Sequence, residues 1–183
     1  LQDTFFRDLS FEDMSRMASL APAGSDGLVY LPYLSGERTP HMDPNAKGMF
    51  FGITLSHGAP HFVRAVMEGV AYSLKDSLAV FEELGIRSDT IIASGGGARS
   101  EVWLQIQADI FRKRVKVCTV KEQACLGACI IAGAGCNIFS SIEEASERFV
   151  SFSDRIYEPI SENAEVYKKL YQKFRDLYKA TTA

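Results

Sequence analysis

At 183 residues the chain has room for one sizeable α/β domain and is short for two. Its 46% hydrophobic and 23% charged residues are ordinary for a folded domain, and a net charge of −3 gives no electrostatic ground for a nucleic-acid or membrane-surface partner. No apolar run reaches membrane-spanning length, the nearest being residues 124–134, which are short and rich in Gly and Ala.

The chain opens at Leu1 rather than Met and carries no signal-peptide pattern, so a piece of a longer or processed cytoplasmic polypeptide is expected. Residues 5–20 carry apolar side chains at helical spacing, with Phe6, Leu9, Met14, Met17 and Leu20 facing inward. Ser10 with Asp13 three residues on is a cap for the second part of that stretch. Residues 22–27 read as a turn and 28–31 as a short apolar strand. Residues 32–48, with three prolines and two glycines, form a long irregular loop with enough aromatic and apolar residues to be ordered.

Strand character returns at 49–55. Pro60 then suits the first turn of a long helix reaching Leu84, with Gly85 as its stop. On it Val63, Val66, Met67, Val70, Leu74, Leu78 and Phe81 keep a 3.6-residue period, while Arg64, Glu68, Lys75, Asp76 and Glu82 mostly fall elsewhere. Residues 114–120 alternate like a half-buried strand. Residues 123–135 predict a helix whose small residues permit close packing, and 142–149 and 163–179 predict surface helices. The last has Val166, Leu170, Phe174 and Leu177 on one stripe. Strands and helices alternate, which predicts an α/β fold with a sheet that need not be wholly parallel.

Cys118, Cys125, Cys129 and Cys136 form no Cys-x-x-Cys pair and are expected as small buried hydrophobes rather than zinc ligands or disulfides. His57 and His61 are four apart, but Gly58 and Pro60 intervene, so they do not share a helical face and a metal site is not expected.

The most informative segment runs from Ile91 through Ser94, Gly95, Gly96, Gly97, Ala98 and Ser100 into residues 101–111. It reads as an apolar strand, three glycines, and a helix capped by Ser100. Adjacent glycines let another molecule press against the backbone, and a helix N-terminus offers unpaired N–H groups and partial positive charge. The segment therefore suits a phosphate or a nucleotide edge. A tight turn with no ligand is the competing reading. There is no Gly-Lys-Ser/Thr, so no P-loop lysine, and Gly95-x-Gly97-x-x-Ser100 lacks the third glycine of a dinucleotide fingerprint.

Four segments in order extend the reading: Tyr33 to Pro40 with Asp43-Pro44 and Ala46-Lys47-Gly48; Gly48-x-Phe50-x-Gly52-Ile53 followed after seven residues by His61-Phe62-x-x-Ala65-Val66-Met67-Glu68; Ile91 to Phe111; and Ala124-x-Leu126-Gly127-Ala128 with Ala132-Gly133. Together they resemble the FGGY family of carbohydrate kinases, and within it members acting on D-xylulose. The third segment is similar to the adenosine motif of the wider sugar kinase, actin and heat-shock ATPase superfamily.

The resemblance implies a ribonuclease-H-like, actin-like ATPase domain with a mixed sheet flanked by helices. Residues 1–183 would be the C-terminal, nucleotide-binding half of a two-domain kinase whose N-terminal, sugar-binding half is absent. It implies ATP with magnesium, ADP as product, a sugar substrate held through the other half, and a homodimer. Gly96, Gly97 and Ala98, with Gly95 beside them, would lie against adenine, and Ser100 or Glu101 would contact its edge or the ribose. Gly52 would approach the nucleotide from the opposite side. The family's phosphate loops and catalytic aspartate have no match here, so no catalytic or metal-binding residue is assigned and the chain alone is expected not to turn over. Another FGGY kinase, acting on glycerol, gluconate, ribulose or fuculose, is the near alternative, and a non-catalytic actin-like module the distant one.

Several residues carry two readings. Glu37-Arg38 would bind phosphate or pin its loop as an ion pair. Lys47 is equally open, and Glu68 would be catalytic or locally paired. Asp43, Asp76, Asp89 and Asp109 are candidate acids by type only, with turn-forming and solvated roles expected for Asp43 and Asp109. Trp103 is expected to pack rather than stack on a ligand. Surface meeting the missing half should be left apolar and bare.

Overall fold

The computed structural model describes residues 2–181. Two short helices open the chain, α1 (Gln2–Phe5) and α2 (Phe11–Ala18). Strands β1 (Val29–Leu31) and β2 (Met49–Phe51) flank the long loop and precede α3 (Ala59–Glu83). Then follow β3 (Thr90–Ala93), α4 (Glu101–Phe111), β4 (Arg114–Cys118), α5 (Gln123–Gly135), α6 (Ile142–Phe149), β5 (Phe152–Tyr157) and α7 (Ser161–Thr181).

The strands form two sheets. β1 and β2 pair antiparallel with Tyr30 opposite Phe50, and the second sheet runs β3-β4-β5, parallel then antiparallel. β1 and β3 are each paired on one side only, so each sheet presents an open edge among the described residues. Helix α3 packs on β1, α2, α4 and α7. The main core gathers Val29, Leu31, Tyr33, Ala71, Tyr72, Ile106, Ile110, Tyr167 and Phe174 where these elements meet.

Local signals fix several boundaries. Ser10 Oγ accepts the Asp13 N–H at 3.0 Å while Asp13 accepts the Ser10 N–H at 3.1 Å, the capping box the spacing predicts. Gly85 ends α3 at φ +82°, with the Ile86 N–H bonded to the Phe81 carbonyl at 2.9 Å. The long loop is ordered: Tyr33 and Ala46 are buried, His41 stacks on Tyr178 at 4.0 Å, and Glu37 and Asp43 exchange two backbone hydrogen bonds at 2.7 Å.

Several expectations are corrected. The strand expected over 49–55 stops at Phe51, because Gly52 turns the chain at φ +86°. β5 has no counterpart in the sequence reading; its residues are mostly exposed and mixed in polarity, so no clean alternation marks it. The buried face of α3 is not the predicted apolar stripe. Val63 is buried, but Val70, Leu74 and Phe81 are exposed, while Arg64, Ala65, Glu68, Gly69, Ala71, Tyr72 and Asp76 face inward. Small residues prevail there because the strand comes very close: a Cβ on Gly69 would sit 2.2 Å from the Tyr30 carbonyl oxygen.

Cysteines 125, 129 and 136 are exposed, not buried, since the described chain covers little of α5 beyond its contact with α6. Ile131 on the same helix is 63% exposed, and Ala124, Ala128 and Ala132 are exposed too. An all-round apolar helix left bare in this way is a surface awaiting a neighbour. Leu20, also expected inside, lies beyond the end of α2 and is exposed.

Candidate functional site

The glycine segment folds as its sequence predicts. β3 ends at Ala93, and Gly95 turns the chain at φ +76°, ψ −161°, a combination essentially reserved for glycine. Gly96–Arg99 make one 3₁₀ turn, with the Ala98 N–H on the Gly95 carbonyl at 3.3 Å and the Ser100 N–H on that of Gly97 at 3.2 Å. Ser100 then caps α4, its Oγ accepting the Trp103 N–H at 3.1 Å.

The three glycines are exposed, and they differ in what their missing side chains leave room for. A Cβ on Gly95 or Gly96 would meet nothing within 4 Å. One on Gly97 would stand 3.1 Å from Nε1 of Trp103, whose indole lies against the turn and packs on the main core. Gly97 is therefore explained by the fold, Gly95 by its dihedral angles, and Gly96 by neither. A bare backbone ribbon at a helix N-terminus, with open space where a Cβ would stand, fits the flat face of a nucleoside.

Around the turn, Ala98 is half-buried against the cluster of Leu104, Ala108, Val115 and Tyr157. Ser100 Oγ lies 2.5 Å from Ser15 Oγ, and exposed Glu101 pairs with Arg155 of β5. Gly95, Gly96, Gly97, Ala98, Ser100 and Glu101 thus form one continuous patch. Gly52 has different surroundings: a Cβ there would be 3.2 Å from the Gly27 carbonyl oxygen and 3.7 Å from Lys173 Nζ, with no atom of the glycine turn within 4 Å. Two hollows also lie elsewhere. One, of about 440 Å³, is between residues 23–27 and α7, and the other, of about 260 Å³, is between α5 and α6. The glycine turn is an open wall rather than an enclosed pocket.

The remaining candidates resolve into structural roles. Glu68, 2% exposed, accepts from Gly24 N–H and Ser25 Oγ at 2.9 Å and from Arg64 Nε and Tyr167 OH at 2.8 Å. Arg64 also reaches the carbonyls of Ala18 and Ala21, closing the end of α2. Glu37 does not pair with Arg38; its carboxylate accepts the Thr39 N–H at 2.7 Å, and Arg38 and Lys47 are exposed with no ion pair among the described residues.

Asp43 bonds Asn45 N–H and Tyr178 OH, the turn-forming role expected of it. Asp109 is not solvated. It is 1% exposed and accepts from Gln105, the Ile160 N–H and Asn163, each at 2.8 Å, so it fastens α4 to the start of α7. Asp76 is buried and takes the Tyr171 hydroxyl at 2.5 Å, and Asp89 is exposed. His57 and His61 spend Nδ1 on the N–H groups of Thr54 and Gly58. No three Asp, Glu, His or Cys side chains among the described residues converge to hold a metal ion.

Comparison with known proteins gives this wall a context. Residues 4–136 match the C-terminal domain of the FGGY family of carbohydrate kinases. The chain belongs to that family. It is 41% identical over 181 residues to a xylulose kinase of Staphylococcus epidermidis and 39% identical over 168 residues to a gluconokinase of Bacillus subtilis, covering 99% and 91% of this chain. It spans 36% and 32% of those proteins, about a third of their length. Ligand-bound xylulose kinase from Lactobacillus acidophilus superposes with a TM-score of 0.91 at 32% identity, over 100% of this chain and 37% of that one. The expected actin-like ATPase fold, α/β with a mixed sheet flanked by helices, is the fold of this FGGY domain.

Sequence reasoning found the turn but missed two of its supports. Ser15 lies 85 residues from Ser100, and nothing in its own neighbourhood distinguishes it from any other helical serine. Arg155 sits on the strand that sequence patterning did not reveal.

Proposed function

We propose that the chain, residues 1–183 as a single domain, is the nucleotide-binding C-terminal half of a cytoplasmic, homodimeric carbohydrate kinase. Its parent would transfer the γ-phosphoryl group of ATP to a sugar hydroxyl, with D-xylulose as acceptor. The observation that carries the reading is the bare Gly95–Gly97 ribbon at the N-terminus of α4, with Gly96 open for reasons the chain's own packing does not supply. The xylulose kinases among its relatives support the choice of sugar. Gluconate is the second acceptor to test, because a gluconokinase is nearly as similar.

Bound there, ATP would supply the phosphoryl group, and this chain would bind and orient its nucleoside end. The backbone of Gly95 to Ala98 would lie flat against adenine, with Ser100 and Glu101 at the base edge or ribose. The unpaired N–H groups of the α4 first turn would favour the nucleotide's negative charge. Gly52 would approach from the other side once the cleft is complete. Magnesium would arrive with the nucleotide; among the described residues no three Asp, Glu, His or Cys side chains converge to hold it.

The open edges of β1 and β3 and the uncovered apolar face of α5 are where the other half of such a kinase would pack. No helix among the described residues is long and apolar enough to cross a membrane. The reading is tested by calorimetric titration with ADP and ATP, with and without magnesium, beside an assay for D-xylulose-dependent ADP production. Nucleotide binding without turnover is the expected pair of results. Absence of binding would overturn the site, and turnover by this chain would overturn its reading as a half-kinase.

A further inference from the structure

Resting on the nucleotide reading of the glycine turn, we propose that Ser15 is a positioning residue that turns Ser100 into an obligate hydrogen-bond donor toward the ligand. A serine hydroxyl has one proton and two acceptor lone pairs. One lone pair of Ser100 is already committed to the Trp103 N–H at 3.1 Å, the bond that caps α4. Ser15 Oγ lies 2.5 Å away on a different helix. With Ser15 donating, both lone pairs of Ser100 are used, and its single proton is the valence left for a ligand. Ser100 then recognises an acceptor, a ring nitrogen or a ribose oxygen. The opposite polarity would spend that proton on Ser15 and leave the turn with no hydroxyl donor at this point.

Ser15 is held for the task from both ends of α2. The Ser10–Asp13 box fixes the start of the helix, and Arg64 grips its end through the carbonyls of Ala18 at 3.4 Å and Ala21 at 3.2 Å. Met14 and Ala18 are buried against Val63, and Val102 in the first turn of α4 packs on the same cluster. The distance between α2 and the cap of α4 is therefore set by packing, and Ser15 presents its hydroxyl from a fixed position.

The test is a double-mutant cycle read by ADP affinity, with Ser15→Ala, Ser100→Ala and the pair, and with thermal melts to confirm folding. Each single change is expected to weaken ADP about fivefold, the worth of one hydrogen bond. The pair should be no weaker than Ser100→Ala alone, because Ser15 acts only through the Ser100 hydroxyl. Ser15→Thr, which keeps a hydroxyl, should restore wild-type affinity, a rescue that loss of helix packing would not give. Wild-type affinity in Ser15→Ala, or losses that add in the pair, would overturn the proposal while leaving the nucleotide site intact. A wild-type chain that binds no ADP would overturn both.

Discussion

Glu68 draws four donors onto one buried carboxylate, Arg64 from its own helix and three from segments far away in sequence. Burial raises its pKa from the ordinary value, and Arg64 with the hydrogen bonds opposes that shift. What it secures is the turn at Gly24–Gly27, where four successive residues hold positive φ, including Ser25 at 47° and Asp26 at 50°. Left-handed non-glycine residues cost about 1–2 kcal/mol each and persist only where neighbours enforce them. Glu68→Ala, by stranding buried Arg64, is expected to lower unfolding free energy by about 3–5 kcal/mol in urea titration. A loss below about 1 kcal/mol would mean the hub is dispensable. Gly69→Ala should cost about 1–3 kcal/mol or more by the same measurement, since the Tyr30 carbonyl must move away from the new methyl. Of these roles only the pairing of Glu68 with Arg64, four residues before it, was legible locally. The sequence marks Glu68 as a charge on a helix, but Gly24 lies 44 residues away and Tyr167 99.

Among the elements, those whose ends carry local chemistry were readable. The box at Ser10, the stop at Gly85 and the cap at Ser100 each satisfy groups within a few residues, so pattern and structure agree. The inward face of α3 was not readable, because close approach of β1 selects Gly and Ala and mutual pairing admits Arg64 and Glu68, all contrary to an apolar stripe. β5 escaped for a related reason: as an edge strand paired only with β4 it has no buried face along most of its length. The caps also predict a pH response. The Ser10 hydroxyl and N–H hold Asp13 below its ordinary pKa, and those of Ser140 do the same for Glu144. With folded values below unfolded ones, this stabilisation is present above the usual carboxylate range and is lost as pH falls below about 4. Between pH 7 and 3, wild type should lose more thermal stability than the Asp13→Asn, Glu144→Gln double variant. Equal losses would show that these caps do not titrate as described.

At the scale of the molecule, the glycine turn is exposed surface, proposed above as one wall of a nucleotide cleft. The family match ends at residue 136, while α6, β5 and α7 contribute Arg155 beside Glu101, Tyr167 beside Glu68 and Asn163 beside Asp109. The turn was legible because three glycines and a capping serine lie close together in the sequence, and its supports Ser15 and Arg155 were not because they come from distant segments. The turn also carries its own reporter. Trp103 is the one tryptophan of the chain, and its indole lies beneath Gly97. Gly97 is for that reason a poor place to test the site, since a side chain there strikes the indole. Gly96 is the better place, because a Cβ there would meet nothing of the chain within 4 Å. The most direct measurement is an ADP titration followed by Trp103 fluorescence in wild type and Gly96→Leu, with melting temperatures for both. Saturable quenching or enhancement in wild type, lost in a variant that melts within a few degrees of it, is the predicted result. Equal ADP affinity in the two proteins would contradict the placement of the nucleotide on this turn.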